Sequence, residues 1–242
     1  MHAALMISAS NSDALDGFAE AAPDLVVLDA RALPGDALRD VARQARAQNI
    51  PVFVRIGPLG TAGQGQLDAA LEAAPDGIWL GESVGRAQVE QLASWLAVAE
   101  AEFGLPEGRL RIVASVETAA GVLAAPALAL VGRRLAAIAL DLAALAREIG
   151  CDAGRSGDEP EPLRTARGHV VLAAAAARVP PILAADMPDA GAYSAEATRA
   201  SRDGFAAMLT LDLRGVAAIR RLPAQALVGR LMENFVSGVA TK

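Results

Sequence analysis

The stretch LVVLDARALPGDALRDVARQARAQNIPVFVRI, residues 25–56, decides how the chain folds. Its two ends, Leu25–Asp29 and Val52–Ile56, are short apolar runs of the kind that form parallel strands buried on both faces. Between them, Asp36–Gln48 repeats apolar residues at helical spacing, with charged residues on the opposite face. The apolar face of this segment consists of Leu38, Val41, Ala42 and Ala45. The stretch therefore predicts a strand, a helix and a second strand parallel to the first.

The same alternation of an apolar run and a helical segment recurs along the chain. Further strands are predicted at Ala4–Ser8, Gly77–Leu80, Leu110–Val116, Leu135–Leu140, Pro181–Ala184 and Ala206–Leu209. About eight strand–helix units imply a parallel sheet with helical crossovers, and closing that sheet removes both of its edges. The length of 242 residues is close to the ~250 residues typical of a barrel. We therefore predict an α/β fold with a single (β/α)₈ barrel over residues 1–222, and an open doubly wound sheet as the alternative.

Two segments fall outside this alternation. Asp152–Pro162 is rich in Gly, Asp, Glu and Pro, which predicts a loop covering one end of the barrel. Residues 223–242 carry apolar residues at helical spacing and are predicted to form a helical tail. Those residues are Leu227, Val228, Leu231 and Phe235. We expect the tail to pack either on the barrel or on a neighbouring subunit.

Composition excludes several classes of partner and site. A net charge of −6 leaves no basic surplus to neutralise phosphates, so we expect no nucleic acid partner. Cys151 is the only cysteine, which excludes disulfides and thiolate metal clusters within one chain. Charged residues interrupt every apolar run before the ~18 residues of a membrane span, and the first residues lack the charged start of a signal peptide. We expect a cytoplasmic protein without a membrane partner.

Lysine usage narrows the chemistry further. The only lysine is Lys242, the last residue of the sequence. Schiff-base aldol chemistry, pyridoxal phosphate attachment and the P-loop all need a positioned interior lysine. With only two histidines, His2 and His169, and one tyrosine, Tyr193, acid–base chemistry falls mainly to carboxylates.

In a (β/α)₈ barrel the carboxyl ends of the strands form the functional face. The polar residues at or just beyond the carboxyl ends of predicted strands are Asp29, Arg55, Glu82, Glu117 and Asp141. Structural interpretations remain open for these residues. Asp141 can act as the N-cap of a helix over Leu142–Ile149, and Glu117 can favour the start of the helix that follows it. Arg55 and Asp29 can serve as ion-pair partners only.

The functional interpretation joins Glu117 and Asp141, which are 24 residues apart and end adjacent predicted strands. Two carboxylates plus waters suit Mg²⁺, which keeps several positions open for substrate. A bound Mg²⁺ chelates a 2-oxo acid and stabilises its enolate, while Arg55 stabilises oxyanion charge. This is the metal-dependent route to aldol cleavage, and the only aldol route open to a chain without an interior lysine.

Several segments, in order and spacing, resemble a known family. They are Asp24–Ala30, Val54–Ile56, Gly77–Leu80, Ser115–Val122, Leu140–Gly150, Leu163–Ala177 and Gly204–Phe205. Together they are similar to the citrate lyase β-subunit-like proteins of the HpcH/HpaI aldolase family. The resemblance implies a Mg²⁺-dependent carbon–carbon lyase fold, trimeric or hexameric, acting on acyl-CoA esters or 2-oxo acid aldols. It also implies that Glu117 and Asp141 bind the metal and that Arg55 binds substrate.

Other positions depart from the family pattern. Ala30, Arg31 and Ala32 stand where the family carries Leu-Glu-Asp after the second strand. Gly81 and Glu82 replace a Pro-Lys pair, which reverses a charge beside an anionic substrate. Three hypotheses follow: a lyase of this family with altered substrate preference, a non-catalytic member that binds a metabolite or partner protein, and an unrelated barrel enzyme such as an isomerase. For the lyase we expect Asp29, Arg55 and Glu82 to bind substrate.

Overall fold

The computed structural model describes residues 1–8, 17, 20–151 and 159–222, with only the backbone described over residues 61–64. Its strands are β1 (His2–Ile7), β2 (Leu25–Asp29), β3 (Val52–Ile56), β4 (Gly77–Leu80), β5 (Arg111–Val116), β6 (Leu135–Asp141), β7 (Pro181–Ala184) and β8 (Ala207–Thr210). They pair in parallel and in chain order, and β1 pairs with β8 to close the barrel. The predicted (β/α)₈ barrel is therefore confirmed, and the open sheet is excluded.

Helices cover the outside of the barrel. They are α1 (Gly35–Ala47), α2 (Thr61–Glu72), α3 (Arg86–Glu102), α4 (Ala119–Ala124), α5 (Leu142–Ile149), α6 (Glu161–Ala177), α7 (Ala190–Asp203) and α8 (Leu213–Arg220), with a 3₁₀ helix at Ala125–Leu130. No helix in the described part of the chain is long and apolar enough to span a membrane. The proposed tail, residues 223–242, and most of the predicted loop at Asp152–Pro162 lie outside the described residues.

Side chains alternate along each strand between the barrel interior and the helices, because successive residues of a strand point to opposite faces. The interior is filled chiefly by Met6, Val27, Phe53, Trp79, Val113, Ala137, Ala139, Ile182, Ala207 and Leu209. Phe53 and Trp79 are fully buried and are the two largest side chains in this cluster, to which β6 and β8 contribute alanines. The aromatic pair thus compensates for a core otherwise built from small side chains.

This alternation also sets the candidate site. Phe53 points into the barrel on β3, so Arg55, two residues later, points inward at the carboxyl end of the same strand. Val113 sets the same phase on β5 and carries Glu117 to the inward face just beyond its end. Asp141 follows Ala139 in the same way on β6. Three charged side chains are thereby directed at the mouth of the barrel.

Candidate active site

Arg55 and Glu117 form a buried ion pair at the barrel mouth. The Arg55 Nη2 atom donates to Glu117 Oε2 over 2.6 Å, and the two side chains are 6% and 5% exposed. The other carboxylate oxygen of Glu117 accepts a hydrogen bond of 3.2 Å from the backbone amide of Glu82. Removing either charge would leave the other unpaired in a poorly solvated position. Each of the two side chains therefore holds the other in place.

Gly81 permits this ion pair to form across β4. A Cβ atom at Gly81 would lie 3.4 Å from both Nε and Nη2 of Arg55 and 2.9 Å from the carbonyl oxygen of Ile56. Arg55 therefore reaches over the end of β4 toward β5 because no side chain stands between them. The next residue, Glu82, has a φ of +50°, and its side chain is exposed. That backbone conformation aims the Glu82 amide at Glu117.

Asp141 combines a structural contact with an unusual ionisation. Its Oδ1 atom accepts a hydrogen bond of 2.9 Å from the Ala144 amide, so it is the N-cap of α5. Burial raises the pKa of the Asp141 carboxyl; the hydrogen bond from Ala144 opposes the rise, and the charge of Glu117 adds to it. The two carboxylates are thus close enough to repel, and the charges of Arg55 and Arg147 offset only part of the rise in the pKa of Asp141.

Asp29 is engaged by a neighbour in sequence. Arg31 donates to both carboxylate oxygens of Asp29, over 2.9 and 2.7 Å, and its backbone amide adds a third hydrogen bond. Burial raises the pKa of Asp29, but the hydrogen bonds and charge of Arg31 outweigh burial and hold the pKa below its usual value. The charges of Glu117 and Glu82 also act on Arg31, so this pair borders the Arg55–Glu117 pair.

A cavity of about 280 Å³ opens at the barrel mouth. Its charged lining consists of Arg55, Asp141, Arg147 and Asp186, and its apolar lining includes Met6, Leu209 and Leu211. Arg55 Nε is buried and has no hydrogen-bond partner among the described residues, so a donor remains for a ligand. A second cleft of about 650 Å³ shares Ala143, Ala184, Ala185 and Asp186 with this cavity and extends between α6 and α7.

Glu117 and Asp141 offer a donor set that fits Mg²⁺. No group of three or more His, Cys, Asp or Glu side chains suited to a metal occurs in the described ranges. Mg²⁺ does not require one, because it is commonly held by one or two carboxylates with waters and substrate oxygens completing its shell. Burial is the main reason for the raised pKa of Asp141, and the charge of Glu117 adds a repulsion that a cation bound by both carboxylates would relieve.

Of the five residues named from the sequence, Arg55 and Glu117 are in direct contact, and Asp141 interacts with both through its charge. Glu82 touches Glu117 through its backbone, whereas its exposed carboxylate is not part of the cavity lining. Asp29 is likewise outside that lining. The N-cap interpretation of Asp141 is correct as a structural statement. At α4, the N-cap is Thr118, and Glu117 directly precedes it.

The sequence reasoning missed Asp186, which lines the cavity two residues beyond β7. The sequence contains a signal for Asp186, because the other candidates were also selected as polar residues at or just beyond the end of a strand. It also missed Arg147, in the last turn of α5. That residue carries no signal of its own, because an arginine within a helix is ordinarily solvent-exposed.

Solved structures of similar fold cover almost the whole chain. RipC from Yersinia pestis is 23% identical, with 94% of this chain and 98% of that chain covered and a TM-score of 0.70. The CitE protein from Mycobacterium tuberculosis, in complex with magnesium and acetoacetate, is 23% identical over 99% of this chain and 97% of its own, also at 0.70. Haloferax volcanii malate synthase, in a ternary complex with pyruvate and acetyl-CoA, is 17% identical over 93% and 70%, at 0.72.

A comparison with curated protein sequences found no match. The sequence model of the HpcH/HpaI aldolase/citrate lyase family, by contrast, matches residues 2–212, which include every strand of the barrel and all five candidate site residues. The resemblance inferred from the segments above is confirmed by this match. The chain belongs to the HpcH/HpaI aldolase/citrate lyase family.

Proposed function

We propose that the protein is a Mg²⁺-dependent carbon–carbon lyase that cleaves a 2-oxo acid aldol or an acyl-CoA ester at the barrel mouth. The observation that carries the proposal is the inward cluster of Arg55, Glu117 and Asp141 at the carboxyl ends of β3, β5 and β6, of which Arg55 and Asp141 line the 280 Å³ cavity. A cavity of this size lies near the lower end of small-molecule pockets, which suits a small organic acid.

In this proposal Glu117 and Asp141 hold the ion. A bound Mg²⁺ supplies Lewis acidity for the substrate carbonyl. Arg55 presents the donor Nε to the substrate, and its permanent charge favours the negative charge that develops on oxygen during cleavage. Asp29 and Glu82 lie around this centre, where we propose that they contact outer parts of the substrate. The magnesium in the CitE structure is consistent with this choice of ion, although that protein is only 23% identical.

A non-catalytic member of the family is the second candidate. One observation favours it: Arg55 already neutralises one oxygen of Glu117 in a buried contact of 2.6 Å. A cation must compete with this ion pair for Glu117. If the pair is too stable to yield, the barrel retains the family's shape and binds a metabolite without the ion.

Calorimetric titration with Mg²⁺, with and without pyruvate, separates the two candidates. The lyase predicts Mg²⁺ binding that Glu117→Gln and Asp141→Asn abolish, while Glu72→Gln, an exposed carboxylate on α2, leaves it unchanged. Release of pyruvate from 4-hydroxy-2-oxo acids, coupled to lactate dehydrogenase, then tests turnover. Absence of Mg²⁺ binding by the wild type, even with pyruvate or oxaloacetate, would exclude the lyase.

A further inference from the structure

A chain of polar side chains runs along the mouth cavity from Thr210 at the end of β8 through Tyr193 on α7 to Asp186, and both of its ends line that cavity. Thr210 Oγ1 donates to Tyr193 Oη over 2.8 Å, and Tyr193 Oη donates to Asp186 Oδ1 over 2.9 Å. The backbone amide of Asp212 donates to Thr210 Oγ1 over 3.0 Å, and this hydrogen bond fixes the position of the Thr210 hydroxyl. Thr210 and Tyr193 are almost fully buried, whereas Asp186 is exposed at the cavity.

Gly215 on α8 makes room for this chain. A Cβ atom at Gly215 would lie 2.5 Å from Thr210 Oγ1 and 2.9 Å from two ring carbons of Tyr193. No real side chain fits at such distances without displacing one of the two hydroxyl groups. The packing of α8 against α7 and β8 therefore depends on the positions of the Thr210 and Tyr193 hydroxyl groups. These hydroxyl groups are part of the packed interior and not of the surface.

The direction of the hydrogen bonds suits a carboxylate that accepts protons. Burial raises the pKa of the Tyr193 hydroxyl; the hydrogen bonds from Met187 and Thr210 oppose the rise, and the contact with Asp186 adds to it. Tyr193 thus stays protonated at neutral pH and donates to Asp186. No other hydrogen bond to Asp186 occurs within the described part of the chain. Its second oxygen is free to meet a ligand in the cavity.

Asp186 lines the same cavity as Asp141, one of the two candidate metal ligands, and follows the neighbouring strand β7. Asp141, the last residue of β6, is in register with Ala184 of β7, and Asp186 follows Ala184 by two residues. Both aspartates line the same cavity, and the other charged groups that line it are Arg55 and Arg147. Unlike Asp141, Asp186 makes no helix-capping contact, so the structure gives it no role in building a helix.

We propose that Asp186 is the general acid–base residue of the lyase reaction, positioned by Tyr193 and Thr210. This inference rests on the function proposed above. In cleavage, the Asp186 carboxylate takes the proton of the substrate hydroxyl that lies β to the ketone. The electrons of that O–H bond form the new aldehyde carbonyl, and the adjacent carbon–carbon bond breaks. Its electron pair becomes the enolate of the 2-oxo acid, and the proton on Asp186 returns to the enolate carbon. No electrons or protons are gained or lost overall.

The exchange of pyruvate methyl hydrogens with D₂O, followed by proton NMR in the presence of Mg²⁺, isolates the proton-transfer half of this reaction. Asp186→Asn is expected to slow exchange about 100-fold, the lower range for loss of a general base. Pyruvate affinity, measured by calorimetry, should change less than about threefold, since the Asn side chain retains the shape of the site. Asp189→Asn is the matched control, because it alters an exposed carboxylate on the same loop and Asn also caps helices.

Tyr193→Phe tests the positioning role. Loss of the hydroxyl removes the hydrogen bond that holds the Asp186 carboxylate in place, so the maximal exchange rate should fall by less than in Asp186→Asn while the KM for pyruvate stays unchanged. Thermal melting checks that this variant is folded. If the wild type exchanges and Asp186→Asn exchanges at a similar rate, Asp186 is not the base. If the wild type neither exchanges nor cleaves with Mg²⁺, the lyase function and this inference both fall.

Discussion

At the scale of single residues, the Arg55–Glu117 pair is the contact on which the site depends. Both side chains are buried, and the pair joins β3 to β5 across the end of β4. The Arg39–Glu72 pair has nearly the same separation, 2.7 Å against 2.6 Å for Arg55–Glu117, but its side chains are exposed to water. Burial and not geometry therefore separates their energetic effects.

Glu117→Ala is expected to destabilise the protein by about 3 kcal/mol, because it leaves the Arg55 charge buried without a partner. Glu72→Ala should cost less than about 1 kcal/mol, since both partners of that pair are solvated. Urea denaturation of the two variants and the wild type measures the difference. Equal losses of stability would show that the Arg55 guanidinium is solvated when Glu117 is absent.

Gly81→Ala is expected to displace the Arg55 guanidinium, because its new Cβ atom meets the Ile56 carbonyl at 2.9 Å. Overpacking of this kind costs about 1–3 kcal/mol, and pyruvate affinity should fall with it. Gly132→Ala is the control, since nothing lies within 4 Å of its Cβ position. Calorimetry with pyruvate and Mg²⁺ gives the comparison; an unchanged affinity in Gly81→Ala would contradict it.

At the scale of elements, the end of β6 and the start of α5 share one residue, Asp141, which makes it both a cap and a candidate metal ligand. Its raised pKa means that the folded state binds a proton more readily than the unfolded state. Stability from this group is therefore fully present below the unfolded pKa and is lost as pH rises through the folded pKa. At neutral pH the ionised carboxylate is a cost to the fold.

Asp141→Asn is expected to raise the free energy of unfolding at pH 7 in the absence of Mg²⁺, because Asn still caps α5 and carries no charge. The advantage should shrink as pH falls through the folded pKa of Asp141. Asp141→Ala separates the two roles, since it also removes the cap at a cost of about 1 kcal/mol. Denaturation series across pH test this, and an advantage that grows toward acid would have the wrong sign.

The elements themselves were largely readable from the sequence. β2, β3, β4 and β7 have the predicted bounds, because each apolar run is followed at once by a polar, glycine or small residue that ends it. The site was only partly readable. A polar residue at the carboxyl end of an apolar run reveals Arg55 and Asp141, but the Arg31–Asp29 contact depends on side-chain conformations. The Thr210–Tyr193–Asp186 chain joins three separate segments, which spacing along the sequence does not bring together.

At the scale of the whole molecule, one face is unusually apolar for a surface. Leu123 on α4, Leu130 on the 3₁₀ helix and Leu172 on α6 are 76%, 67% and 70% exposed. The 3₁₀ helix packs directly on α6, which brings this face together. Exposed leucines on adjacent elements are typical of a subunit contact, and we propose this face as the contact of the trimer or hexamer that the family resemblance implies.

Leu172→Glu is expected to lower the molecular mass in solution, because a charge at this position opposes burial of the leucine face in a symmetric contact. Arg202→Glu, a charge change at an exposed site on α7, should leave the mass unchanged. Sedimentation equilibrium measures the molecular mass of both variants and of the wild type. A wild type that sediments as a monomer at all concentrations would remove this face from consideration as a subunit contact.

The burial of Trp79 inside the barrel gives the protein an intrinsic optical probe. Trp79 is in register with Arg55 on the neighbouring strand, so its indole lies next to the charge that a ligand would meet. Trp95, the other tryptophan, lies on α3 on the outside of the barrel. In a Trp95→Phe variant, emission should come from the barrel interior alone, and a shift on adding pyruvate would report events at the mouth without any label.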